Sequence, residues 1–129
     1  MKKFLGLAAA LTMTACTSQG PNPNEVAAEA AQQYYHYLLQ GNYAAFVDGH
    51  FQQDSIPSTY RSQLIDNAKM FMAQQKEEHG GLKEVTKIGA EVDTLKRSGR
   101  AFLQLHYGDS TRTKIVVPLV YFKGIWYLE

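Results

Sequence analysis

The sequence predicts an α+β fold in which N-terminal helices pack on a curved antiparallel sheet. Three observations carry the prediction. Apolar residues recur at helical spacing as far as Gly80-Gly81, they alternate one by one from Ala101 onward, and the alternating runs are joined by loops short enough for hairpins.

The first helix starts at Asn22-Pro23-Asn24-Glu25. Asn22 serves as the cap, Pro23 takes the first helical position where its missing N–H costs nothing, and Glu25 follows three residues after the cap. Val26, Ala30, Tyr34, Tyr37 and Leu38 share one face as far as about Leu39, and Gly41-Asn42 stops the helix. A short second helix runs from Tyr43 to about His50. The third spans about Pro57 to His79, where Leu64, Ile65, Ala68, Phe71 and Met72 form the stripe of a helix lying on a core. Residues 82–95 read as a strand bent at Gly89, and Lys96-Arg97-Ser98-Gly99 as the turn after it.

The remaining strands fix one another's register. With Gly108-Asp109-Ser110 as a three-residue loop, Tyr107 faces Thr111, which puts Ala101, Leu103 and Leu105 on one face with Ile115, Val117, Leu119 and Tyr121. The two-residue turn Lys123-Gly124 pairs Tyr121 with Trp126 and Leu119 with Leu128. The opposite face carries Phe102, Val116, Pro118, Val120, Phe122, Ile125 and Tyr127, too much apolar surface for a face left to water. Either another element or a second molecule covers it.

Ahead of this domain lies a different kind of segment. Lys2 and Lys3 precede an apolar run from Phe4 to Met13, short of the roughly 20 residues that a helix needs to span a bilayer. Thr14 and Ala15 are small, Cys16 is the chain's single cysteine, and a polar stretch follows to Asn24. The pattern resembles the bacterial lipoprotein signal, with Met13 where Leu is usual. The resemblance implies cleavage before Cys16 and a lipid such as palmitate on its thiol, so that residues 1–15 are signal peptide, 16–24 a flexible tether and 25–129 the domain. Thr17-Ser18 carries neither an Asp for inner-membrane retention nor an acidic run for surface export, which implies the periplasmic face of the outer membrane.

Composition narrows the function classes. The chain has 13 basic and 12 acidic residues; without Lys2 and Lys3 the mature chain of 114 residues holds 11 basic against 12 acidic. That balance supplies no field for nucleic acid. Fifteen aromatics, eight of them Tyr, suit a partly polar cavity or an adhesive surface. His36, His50, His79 and His106 lack metal-ligand spacing, and neither a nucleophile elbow nor a glycine-rich phosphate loop is present, so no metal and no cofactor is expected.

The order of elements, with Gly41-Asn42-Tyr43, Gly80-Gly81-Leu82-Lys83, Tyr107-Gly108-Asp109-Ser110 and Lys123-Gly124-Ile125-Trp126, resembles the cystatin-like cone of the nuclear transport factor 2-like superfamily. In particular it is similar to exported bacterial lipoproteins carrying a domain of unknown function. The resemblance implies helices closing over a concave sheet around a pocket, near which it sets Tyr34, Phe71, Tyr107, Tyr121 and Trp126. The expected function is a non-catalytic module anchored through Cys16. It would offer the cone to a small apolar ligand, or the Val116, Val120, Phe122 and Tyr127 face to a second copy or an envelope protein. The alternative is an isomerase or dehydratase in which an Asp (Asp48, Asp66 or Asp93) faces Tyr34 or Tyr121 in a dry pocket.

Overall fold

The computed structural model describes residues 22–129. The signal segment, Cys16 and most of the tether lie outside the described residues. Helix α1 spans Pro23–Leu39, with Asn22 Oδ1 accepting from the Asn24 N–H at 2.8 Å and Pro23 at the first helical position. The helix therefore begins at the expected Asn22 cap. Glu25 does not close a capping box; its carboxylate reaches Lys87 across the gap to the sheet, as does that of Glu29.

Asn42 caps α2 (Tyr43–Asp48) by accepting from the Ala45 N–H. The helix stops two residues short of His50, because Gly49 turns the chain toward the sheet. Helix α3 (Ser58–His79) follows Pro57 and ends at Gly80, whose φ of 78° is a left-handed stop that suits glycine.

Four strands follow in sequence order, β1 (Leu82–Asp93), β2 (Ser98–Tyr107), β3 (Arg112–Phe122) and β4 (Ile125–Leu128), each antiparallel to the next. The expected registers hold: Ala101 pairs with Val117, Leu119 with Leu128 and Tyr121 with Trp126. The bend at Gly89 is a register shift between Lys87 and Gly89. The turn before β2 falls earlier than expected, at residues 94–97, with Ser98 and Gly99 already in the strand. Asp93 Oδ1 causes this by accepting from the Leu95 and Lys96 N–H groups at 3.1 Å, an Asx turn that folds the chain back at once.

The concave face of the sheet holds the core. Ala101, Leu103, Leu105, Val117, Leu119, Trp126 and Leu128 are buried there against Ala27 and Ala31 of α1. Small residues on that side of α1 bring the helix close to the strands, so α1 fills the concavity. Both edges of the sheet meet other parts of the chain. Along β1, Asn24 Oδ1 accepts from the Val92 N–H and the Gln32 side chain donates to the Val85 carbonyl. Along β4, the Leu128 N–H donates to the Gly49 carbonyl, the Phe51 N–H to the Leu128 carbonyl, and the Tyr34 hydroxyl to the Trp126 carbonyl.

Candidate functional site

Helix α3 stands apart from the packed core. It is pinned at its first turn, where Arg61 makes a two-pronged hydrogen bond to Asp48 with both distances 2.9 Å. It is pinned again at its end, where the Asp109 N–H donates to the His79 carbonyl and the His79 ring stacks on Tyr107 at 4.8 Å. Between these points Ala68 is its one buried residue, and Leu64 and Phe71 are half-buried.

Under that span lies an apolar cavity of about 420 Å³. Tyr35 and Leu38 of α1, Phe46 and Val47 of α2, and Tyr60, Leu64, Ala68 and Phe71 of α3 form its walls; His50, Phe51, Gln52, Asn67 and Glu129 supply the rest. Phe46 is held edge-on between Tyr35 and His50, with ring centroids 5.5 and 5.1 Å away. Such edge-to-face contacts fix ring orientation. Burial pushes the Tyr35 phenol up, which keeps it neutral.

His50 Nδ1 lies 3.1 Å from the Phe46 carbonyl and 3.3 Å from that of Val47. Carbonyls only accept, so Nδ1 carries a proton that it gives to them. A second cleft of about 360 Å³ adjoins the cavity and shares Val47, His50, Phe51 and Gln52 with it. Asp48, Asp54, Ser55 and Arg61 give that cleft a polar lining. The hydrogen bonds from Arg61 hold the Asp48 carboxyl below its ordinary range.

The five aromatics expected around one pocket are distributed over four places, and Phe71 is the one that lines this cavity. The Tyr34 hydroxyl donates to the Trp126 carbonyl at 2.5 Å, and its ring presses on Gly49, where any Cβ would collide with it. Burial, with Tyr127 and Tyr37 nearby, pushes the Tyr34 phenol up. Tyr121 and Trp126 stack at 4.9 Å and line a separate depression with Pro23, Val26, Thr94 and Arg97. Tyr107 is engaged with His79 at the far end of α3. The aspartates considered for catalysis have other partners or face solvent: Asp48 is paired with Arg61, Asp93 caps its turn, and Asp66 is exposed on α3.

On the convex face, Val116 and Phe122 are exposed while Val120 and Tyr127 are half-buried. Part of the cover comes from the chain itself, since the Phe51 ring lies 5.2 Å from that of Phe122 and 5.9 Å from that of Tyr127.

The sequence matches no protein-family model and no curated protein. The fold does match a solved structure, named "Putative NTF2-like transpeptidase", from Campylobacter jejuni. The TM-score is 0.61 at 12% identity, covering 78% of this chain and 94% of that one. The chain thus has the nuclear transport factor 2-like α+β fold, helices followed by a curled four-stranded antiparallel sheet. Among the described residues no helix is long and apolar enough to cross a membrane.

Proposed function

We propose that this chain is a lipoprotein of the cell envelope, held through lipid on Cys16 at the periplasmic face of the outer membrane, whose domain binds a small apolar ligand without transforming it. The observation that carries the binding reading is the apolar cavity under α3. Its volume lies within the range of small-molecule sites, and its walls are mostly aromatic and aliphatic side chains with a few polar groups among them. The site lies between the helices rather than on the concave sheet, since α1 occupies the latter.

The chemistry of the lining supports binding over catalysis. The acyl transfer suggested by the name of the Campylobacter jejuni protein needs an activated nucleophile, and the cavity walls carry no Ser, Thr or Cys. The isomerase or dehydratase alternative needs a carboxylate base facing a phenol, whereas Tyr34 is committed to a backbone carbonyl and Asp48 to Arg61.

A second reading, as a module that docks on a protein, draws on Val116, Phe122 and Ile125, which are 53%, 41% and 49% exposed on one face. One protein tests both anchoring and docking. Cys16→Ser is expected to move the chain from the membrane fraction to the soluble fraction with an unchanged circular dichroism spectrum, because the domain makes its core without that thiol. Retention in the membrane fraction would defeat the anchoring claim. Light scattering of the released chain then reads the docking alternative: a dimer assigns the convex face to a second copy, and a monomer removes that assignment.

A further inference from the structure

We propose that the end of the sheet carrying the β1–β2 and β3–β4 turns rests on an anionic phospholipid surface, with Leu95 dipping among the lipids and Lys96, Arg97 and Lys123 on their phosphates. This rests on the reading of Cys16 as the lipid anchor, and adds which way the anchored domain faces. Because neighbouring strands are antiparallel, the turns after Asp93 and after Phe122 fall at one end of the sheet. The Tyr121 N–H donates to the Arg97 carbonyl at 2.8 Å and ties them together. Helix α1 begins at the same end: Asn24 Oδ1 accepts from the Val92 N–H at 3.1 Å, and Pro23 and Val26 line one depression with Thr94, Arg97, Tyr121 and Trp126. Cys16 stands six residues before Asn22. Whatever path the chain takes between them, six peptide units reach at most about 22 Å, so a lipid on Cys16 stays close to this end.

The surface at this end suits lipid. Leu95, in the β1–β2 turn, is 94% exposed. Of the nine large apolar side chains exposed among the described residues, five lie here: Val26, Leu95, Tyr121, Phe122 and Ile125. One exposed leucine is ordinary, whereas such a concentration around two turns marks a contact surface. The charged side chains of the turns themselves, at 94–97 and 123–124, are all basic: Lys96, Arg97 and Lys123. Lys123 Nζ lies 5.2 Å over the Phe122 ring, its charge beside an apolar group. Nearby acids are engaged or set back. Asp93 accepts from the turn's own N–H groups, Glu25 pairs with Lys87 and Glu91 with Arg100, and Glu129 follows the far end of β4. That leaves Asp54, which lines a cleft with Phe122, against three bases. An apolar tip flanked by bases fits a bilayer, where the leucine enters the acyl boundary and the cations stay with the phosphates. The anchor selects the bilayer over a protein partner, since it keeps that surface within reach at high effective concentration. Without the anchor the contact is too weak to hold the chain, so Cys16→Ser still leaves the membrane fraction.

Trp126, the chain's single tryptophan, lines the depression at this end and reports on it. The test reconstitutes the chain, purified from membranes, into vesicles of phosphatidylglycerol and phosphatidylcholine, recovers them by flotation, and compares Trp126 fluorescence with and without lipid spin-labelled at the headgroup. The spin label is expected to quench Trp126. Leu95→Glu, and separately Lys96→Glu combined with Lys123→Glu, should each lose most of that quenching while the chain floats as before with an unchanged circular dichroism spectrum. Raising the salt concentration should weaken the quenching in the unaltered chain, a readout that needs no variant. A chain that floats with Trp126 unquenched, or with quenching indifferent to salt and to both variants, would overturn the proposal and leave the anchor standing. A chain that does not float would overturn the anchoring reading and this orientation together.

Discussion

Helices α1 and α3 carry comparable apolar stripes and do opposite things with them. The 17 residues of α1 bury Ala27, Ala28, Ala31 and Leu38, whereas the 22 residues of α3 bury Ala68 alone. On α1 the small side chains allow a close approach, and the sheet's own Leu and Val side chains occupy the remaining space. On α3 the large residues Tyr60, Leu64 and Phe71 hold the helix off, and its fixings lie near its two ends. One helix closes a core while the other roofs a void, and the void is where a ligand gains apolar contact without displacing packed side chains.

Stability measurements can break or sharpen this contrast. The largest effect should come from the α1 side: Leu119→Ala, at a fully buried position, is expected to cost about 2–5 kcal/mol in urea denaturation. Phe71→Ala removes a larger side chain yet should cost less than about 1.5 kcal/mol, because it faces space already unfilled. Equal costs at the two sites would mean that α3 is packed as tightly as α1.

The smallest effect belongs to the fixing of α3 at its first turn. Arg61 and Asp48 are both substantially exposed, so Arg61→Ala should cost under about 1 kcal/mol at neutral pH. Arg61 depresses the folded-state pKa of Asp48, so the contribution is present above the ordinary aspartate range and disappears as pH falls through the depressed value. Below about pH 4 the difference between wild type and Arg61→Ala should therefore fade. A difference that persists in acid would assign the effect to packing by the arginine stem.

The sheet was legible because turn lengths fix parity. Once Gly108-Asp109-Ser110 is taken as a three-residue loop and Lys123-Gly124 as a two-residue turn, every side chain from Ala101 to Leu128 has its face. The position of the cavity was not legible in the same way. Leu64, Ile65, Ala68, Phe71 and Met72 state that α3 faces something apolar, and periodicity is silent on whether that something is filled. A signal was nevertheless present: Tyr60, Leu64, Ala68 and Phe71 continue one stripe toward the helix start, adding an aromatic at its edge. His50 and Phe51 gave no local pattern at all, since their place depends on pairing with Leu128, 78 and 77 residues further along the chain.

That pairing also bears on how molecules of this protein meet one another. An open edge strand offers unpaired N–H and C=O groups on which a foreign strand can template itself, the first step of sheet extension and fibril growth. Here Tyr34, Gly49 and Phe51 already occupy the Trp126 carbonyl and both backbone groups of Leu128. Crowded copies can press side chain against side chain, but these three groups are not open to another copy's ladder. Tyr34→Phe, which frees one of those carbonyls, is the smallest chemical change that begins to reopen the edge.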